Sequence, residues 1–186
     1  MQNQLVPILL ILLIVAVGIA VWLYTQKRKT EQLRGSFGPE YDRAVQETGD
    51  RRTAEAELEE RKERVEQLRI RPLAADERER FAERWKSAQA QFVDDPKGAI
   101  TEADRLVGET MQARGYPVGD FEQRAADISV DHPGVVEHYR AAHAIAQRSA
   151  RDEAGTEDLR QAMVHYRALF EDLLEADAPA QMEAQR

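Results

Sequence analysis

The chain contains no cysteine. Disulfides, thiol nucleophiles and thiolate metal sites are thereby excluded, and the composition agrees with a reducing compartment. Aromatic residues make up only 6% of the sequence, so each one is worth placing. No Gly-rich phosphate loop occurs, and no H-x-x-x-H or E-x-x-H pair puts two metal ligands on one helical face. No stretch alternates polar and apolar residues for long enough to argue a strand.

What remains is helical material behind one long apolar run. Residues 5–24, LVPILLILLIVAVGIAVWLY, carry no charge. Twenty such residues match the length needed to cross about 30 Å of hydrocarbon. Trp22 and Tyr24 stand at its end, where amphipathic rings favour the lipid–water boundary. A cleaved signal peptide is the alternative. Against it, MQNQ holds no basic residue, and no small-residue cleavage site follows the run. Lys27, Arg28 and Lys29 lie on the C-terminal side alone, so the positive-inside rule places the rest of the chain in the cytoplasm; anchorage with the domain outside is the other topology.

Setting those three residues aside leaves 23 basic against 34 acidic residues, a net charge of −11. Such a surface repels nucleic acid. The 186 residues leave room for one modest domain. We expect a short tail (1–4), a transmembrane helix (5–24), a basic connector with a short helix (25–52), an all-α domain (53–175) and a flexible tail (176–186).

Within the connector, Leu33, Phe37, Tyr41 and Val45 recur at steps of four, interrupted by Gly38–Pro39, and PEYDRAV begins a short helix. Residues 53–69 are almost all charged, with a thin stripe of Ala54, Leu58, Val65 and Leu68. That stripe suits either the edge of a bundle or a short coiled coil with a second copy. Asp76 and Glu79 have capping-box spacing ahead of Phe81, Trp85, Ala88 and Phe92, the strongest core stripe. Asp95–Pro96 opens the next helix, whose packing face is Ala99, Ala103, Leu106, Val107 and Met111, with Gly115 closing it. Asp120 with Gln123 opens a short helix through Ile128. Asp131 is expected to cap a helix running to about residue 149, and Thr156 to cap a last one reaching about residue 175. The domain is thus expected to be a bundle of five to seven helices.

The four histidines, His132, His138, His143 and His165, invite a metal or catalytic reading. Spacing disperses the first three. At about 100° per residue, His138 and His143 diverge by about 140°, and His132 lies about three turns from His143. The tetrapeptide HYRA, present at 138–141 and 165–168, is the better clue. In an antiparallel hairpin centred near residue 153, Tyr139 and Tyr166 fall at one level, as do His138 with His165 and Arg140 with Arg167. The bland reading is a core rung whose hydroxyls find Asp127, Asp131 or Glu137, with Glu137 or Glu171 as ionic partners. The sharper one is a small-ligand or enzymatic pocket among His132, His138, Tyr139, Arg140, His143, His165, Tyr166 and Arg167. Asp94–Asp95 reads as a helix end plus cap rather than an acid pair. Ser129 lacks a triad around it.

The blocks LRGSFGPEYDRAVQETGDRRTAEAEL (33–58), IRPL (70–73), FVDDP (92–96), RGYPVGDFEQRAADISVDHPGVVEHYRAAHAIA (114–146) and TEDLRQAMVHYRALFEDLLE (156–175) together resemble a family of bacterial proteins, common in actinobacteria, described as membrane or secreted proteins. The resemblance spans nearly all of the part beyond the apolar run. That family carries no assigned activity, so the resemblance implies no cofactor and no role for any residue. The expectation from the sequence is a membrane-tethered acidic helical module that binds another protein or itself, without catalysis, metal or cofactor.

Overall fold

Apolar positions three and four apart dominate the chain, and they fold as that spacing requires. The computed structural model describes residues 5–175. The expected tails at 1–4 and 176–186 lie outside the described residues, as do the side chains of residues 5–12, 14, 15 and 22. Among the described residues every regular element is a helix: α1 (Leu5–Phe37), α2 (Pro39–Thr48), α3 (Arg51–Glu66), α4 (Ala75–Gln91), α5 (Pro96–Arg114), α6 (Phe121–Asp131), α7 (Val136–Ala150) and α8 (Thr156–Glu175). The all-α expectation holds, and α3 to α8 give six helices beyond residue 50.

The expectation of a transmembrane segment falls mainly on side chains outside the described residues. Among the described residues no helix is long and apolar enough to cross a membrane. The backbone of α1 is nonetheless helical from Leu5 to Phe37 without a break, so the expected connector begins as a continuation of the same helix.

The chain divides into two compact units at Leu58/Glu59, inside α3, rather than at residue 52. In the first unit, Leu33, Phe37, Tyr41, Ala44, Ala54 and Leu58 are buried. Gly38 makes the break between α1 and α2 with a φ of 51°, and Pro39 takes the first helical position, where its missing N–H is no loss. Glu55 is buried on this small core. Its Oε1 accepts from the Tyr41 hydroxyl at 2.8 Å and from the Thr30 hydroxyl at 2.7 Å. The stripe of α3 is therefore taken up inside the chain, which favours the bundle-edge reading over a coiled coil.

The second unit is built on α4 to α8 and the end of α3. Trp85 stacks on Phe170 with ring centroids 4.6 Å apart, joining α4 to α8. Around them lie Ala99, Ala103, Leu106, Val107, Met111, Leu159, Met163 and Leu173, all buried as the stripes require. The buried Asp127 accepts from Arg64 Nε at 2.9 Å and ties α3 to α6. Gly115 ends α5 with a φ of 104°, and the chain at Arg69 passes so near that a Cβ there would stand 2.4 Å from the Arg69 carbonyl oxygen. Only glycine satisfies both demands.

Asp95 and Asp120 cap α5 and α6, accepting from the backbone N–H of Gly98 and Gln123, each at 2.9 Å. Three other boundaries differ from expectation. α4 starts at Ala75, and Glu77, not Glu79, reaches back to the Ala74 N–H at 2.9 Å. Arg71 grips the same carboxylate with two bonds of 2.7 and 2.8 Å, so Glu77 gains more from this arrangement than the Asp76–Glu79 box would offer. Asp131 is the last residue of α6 and caps nothing, because its carboxylate accepts from the Tyr116 hydroxyl at 2.6 Å. Thr156 lies inside α8. Asp158 instead takes the Gly155 N–H at 3.0 Å.

Candidate functional site

α7 and α8 pack against each other more extensively than any other pair of helices, joined by the short turn at 151–155. Their antiparallel register brings the two HYRA segments together. Tyr139 and Tyr166 meet edge to face with centroids 6.4 Å apart, and both are fully buried. One residue back on each helix, His138 and His165 face each other at the surface. Their Nδ1 atoms stand 2.9 Å apart, one ring N–H donating to the other ring's lone pair. The rings are 28° from parallel with centroids 5.1 Å apart. Burial first, then the His138 ring, draws the His165 pKa below the ordinary histidine value.

Arg140 and Arg167 do not form the third member of the series. Arg140 reaches Glu122 on α6 at 3.2 Å, and Arg167 lies 3.5 Å from Glu171 on its own helix. Like charges do better with separate carboxylates. Glu171 is thus the ionic partner expected.

Two of the three expected acceptors for the tyrosine hydroxyls, Asp127 and Asp131, are engaged elsewhere. Asp127 holds Arg64 and Gln123, and Asp131 holds Tyr116. The acceptor in use is Asp104 on α5, which takes the Tyr166 hydroxyl at 2.9 Å. Asp104 was not among the residues singled out in the sequence. A signal existed: with Ile100, Val107 and Met111 it continues one face of α5 at steps of four, three and four. A carboxylate on a packing stripe calls for a partner from a facing helix.

His143 completes this cluster. Its ring stacks on Phe121 at 3.6 Å, nearly parallel. The Gln147 amide donates to Nε2 at 3.0 Å, which leaves the proton on Nδ1, the atom 3.9 Å from Asp104. That distance is an electrostatic approach and not a hydrogen bond. The Arg124 guanidinium lies over the Tyr139 ring, 5.9 Å from its centroid. Burial pushes the Asp104 carboxyl upward, but His143, the Tyr166 hydroxyl and Arg124 more than offset it and hold it below its usual range. Burial raises both tyrosines well above ordinary phenol values, and Asp104 adds to the effect on Tyr166. The Tyr139 hydroxyl, the Arg124 Nε and the His143 Nδ1 are buried with no hydrogen-bond partner among the described residues.

His132 belongs to a separate place. It ends α6, is buried, and pairs through Nδ1 with Asp172 on α8, beside the Tyr116 ring. The eight residues proposed from the sequence therefore separate: a surface histidine pair, a buried tyrosine rung with Asp104 and His143, the His132–Asp172 pair, and Arg140 and Arg167 each beside its own carboxylate. They do not line one pocket. Two surface concavities of about 290 and 280 Å³ involve none of the eight; the first is lined by Glu77, Arg80, Phe81, Arg84 and Ala113, the second by residues around Ile100 and Ser149. Among the described residues no group of three or more His, Asp or Glu side chains is arranged around a metal position.

Lys27, Arg28 and Lys29, proposed to orient the chain, lie on α1. Lys27 is 3.8 Å from Glu31, and Arg28 lies over the Tyr24 ring at 5.1 Å. Comparison with models of protein families, with curated proteins and with solved structures finds no match to this chain.

Proposed function

We propose that the chain is a membrane-held helical interaction module. In this reading residues 5–24 cross the bilayer once, and Lys27, Arg28 and Lys29 hold the following part on the cytoplasmic side. The acidic helical units then act through contacts with another protein or a second copy of the chain. The observation that carries the reading is the continuity of α1. The helix bearing the apolar run goes on through the basic cluster to Leu33 and Phe37, which are buried in the first unit. A tether of this kind is stiff and holds that unit close to the bilayer. The resemblance to membrane or secreted bacterial proteins points the same way.

The reading as a small-ligand or enzymatic pocket has less support. Tyr139 and Tyr166 are buried in side-chain packing, and the polar groups near them serve Asp104, Asp172 or each other.

The test uses the full chain in membranes. It should stay in the pellet through an alkaline carbonate wash. Leu13→Arg with Val17→Arg should release it, since each charge at mid-bilayer costs about 3 kcal/mol on insertion scales. The absence of cysteine makes topology easy to read: Val93, highly exposed, can be changed to Cys and labelled. Labelling of Val93→Cys only in inside-out vesicles fits the proposed side. Chemical crosslinking in native membranes should give a discrete adduct. Release of the unmodified chain by carbonate, or crosslinking that yields the bare monomer alone, contradicts the proposal.

A further inference from the structure

We propose that His138 and His165 form a two-histidine site for a divalent transition-metal cation of the Cu²⁺, Ni²⁺ or Zn²⁺ class. The inference stands apart from the membrane reading and rests on the α7–α8 hairpin.

The geometry of the two nitrogens carries it. Imidazole nitrogens bind such ions at about 2.0–2.1 Å, which sets two of them about 2.9 Å apart at a right angle and about 3.4 Å apart at the tetrahedral angle. The His138 and His165 Nδ1 atoms are already 2.9 Å apart. That proximity places the two side chains, from facing helices, within reach of one ion at adjacent corners of a square-planar or octahedral shell. The two Nδ1 atoms now face each other along the hydrogen bond, so binding requires both side chains to turn outward to face one ion. As the ion enters, the ring that donates through Nδ1 passes that proton by way of water to its own Nε2, so both rings stay neutral and each Nδ1 gives its lone pair to the metal.

The backbone setting is pre-organised. Directly behind each histidine stands a fully buried tyrosine, and the Tyr139–Tyr166 contact fixes the register of the two helices at this level. The register of the two helices is thus set before an ion arrives, and only the two imidazoles have to reorient. His138 is exposed and His165 partly so, which leaves the outer coordination positions open to water. Two imidazoles with water select borderline cations over hard, oxygen-seeking Mg²⁺ and Ca²⁺. His143 and His132 cannot contribute: one is stacked on Phe121 and the other held by Asp172. The site therefore differs from the four-histidine cluster that the sequence first suggests.

The experiment titrates CuCl₂, NiCl₂, ZnCl₂ and MgCl₂ separately into full-length protein in detergent micelles, free of any polyhistidine tag, by calorimetry. One ion per chain is expected, with affinity in the order Cu²⁺ above Ni²⁺ and Zn²⁺, and no heat from Mg²⁺. His138→Ala and His165→Ala should each weaken binding at least tenfold, while His143→Ala should leave it unchanged. Paramagnetic resonance of the Cu²⁺ form should show two equivalent ring nitrogens in the parent and one in either variant. Because His138 is exposed, His138→Gln serves as a second variant with little effect on folding, checked by its thermal melt. Absence of Cu²⁺ binding, binding that survives loss of either histidine, or Mg²⁺ binding as tight as Cu²⁺ overturns the proposal.

Discussion

Removing one hydroxyl from each tyrosine of the buried rung should have opposite consequences. Tyr166 donates to the Asp104 carboxylate at 2.9 Å, a bond to a charged acceptor. Such bonds contribute about 1.5–3 kcal/mol. The Asp104 side chain is 30% exposed, so water replaces part of the loss, and Arg124 remains nearby. We therefore expect Tyr166→Phe to destabilise the second unit by about 1–2 kcal/mol. Tyr139 is as deeply buried, yet its hydroxyl meets no acceptor among the described residues. The desolvation of that group, about 1–3 kcal/mol, is already borne by the folded protein, and Tyr139→Phe relieves it. Its effect should lie between neutral and about 1 kcal/mol of stabilisation. For a unit of this size the two variants should melt roughly 5–12 °C apart. Thermal unfolding of the full chain in detergent, followed by fluorescence in a Trp22→Phe background, isolates Trp85, whose ring stacks on Phe170 in the core concerned. If the two variants lose equal stability, or Tyr139→Phe loses more, the assignment of Asp104 as the acceptor for Tyr166 alone is wrong.

Gly115→Ala should cost at least about 2 kcal/mol, because a positive φ and a close backbone approach coincide there. Gly49→Ala, with a positive φ but open space around it, should cost only about 1 kcal/mol; paired chemical denaturation curves distinguish them. Trp85→Ala should destabilise the second unit by about 3–5 kcal/mol, read by circular dichroism. Glu55→Ala leaves the Tyr41 and Thr30 hydroxyls without their shared acceptor and should speed hydrogen exchange in α1 to α3 at least tenfold, corresponding to about 1.4 kcal/mol. For pH, the Arg71 fork and the Ala74 N–H hold the Glu77 carboxyl down at about 2, against an ordinary 4.5. Its folded pKa lies below the unfolded value, so its stabilising contribution is complete above about pH 4.5 and is lost as pH falls toward 2. Asp104 acts with the same sign. Arg71→Met should flatten the fall of melting temperature with acid across that window; an unchanged slope counts against the Arg71–Glu77 pair as its source.

The helices were legible because their apolar stripes are long. Trp85, Ala88, Ala99, Ala103, Leu106, Leu159, Met163 and Phe170 stand at helical spacing, and burial follows from that alone. Helix ends were legible only where the cap is local. Asp95 and Asp120 sit beside the N–H groups they accept from. Asp131 has the same chemistry and an equally plausible position, but a tyrosine 15 residues upstream claims it. Nothing in the neighbouring residues signals that competition. Glu55 is a similar case, a carboxylate in a helix of charges that two hydroxyls make into a core residue.

The contrast within the candidate site follows the same division. Pairs related by the hairpin turn could be placed by counting from residue 153, since two antiparallel helices joined by a short turn have one register. Tyr139 with Tyr166 and His138 with His165 follow from this counting. Arg140 with Arg167 does not, because charge repulsion acts where geometry permits contact, and each guanidinium turns to its own carboxylate. Asp104, Arg124 and Asp172 come from helices outside the turn or from the far end of α8, and their approach depends on how α5 and α6 lie on the hairpin. Counting cannot supply that. A polar residue on a packing stripe can, and Asp104 was visible as one. The general inference is that a lone carboxylate between apolar helix positions marks where a facing helix must present a donor. Here that donor is the Tyr166 hydroxyl, one residue from the surface imidazole of His165.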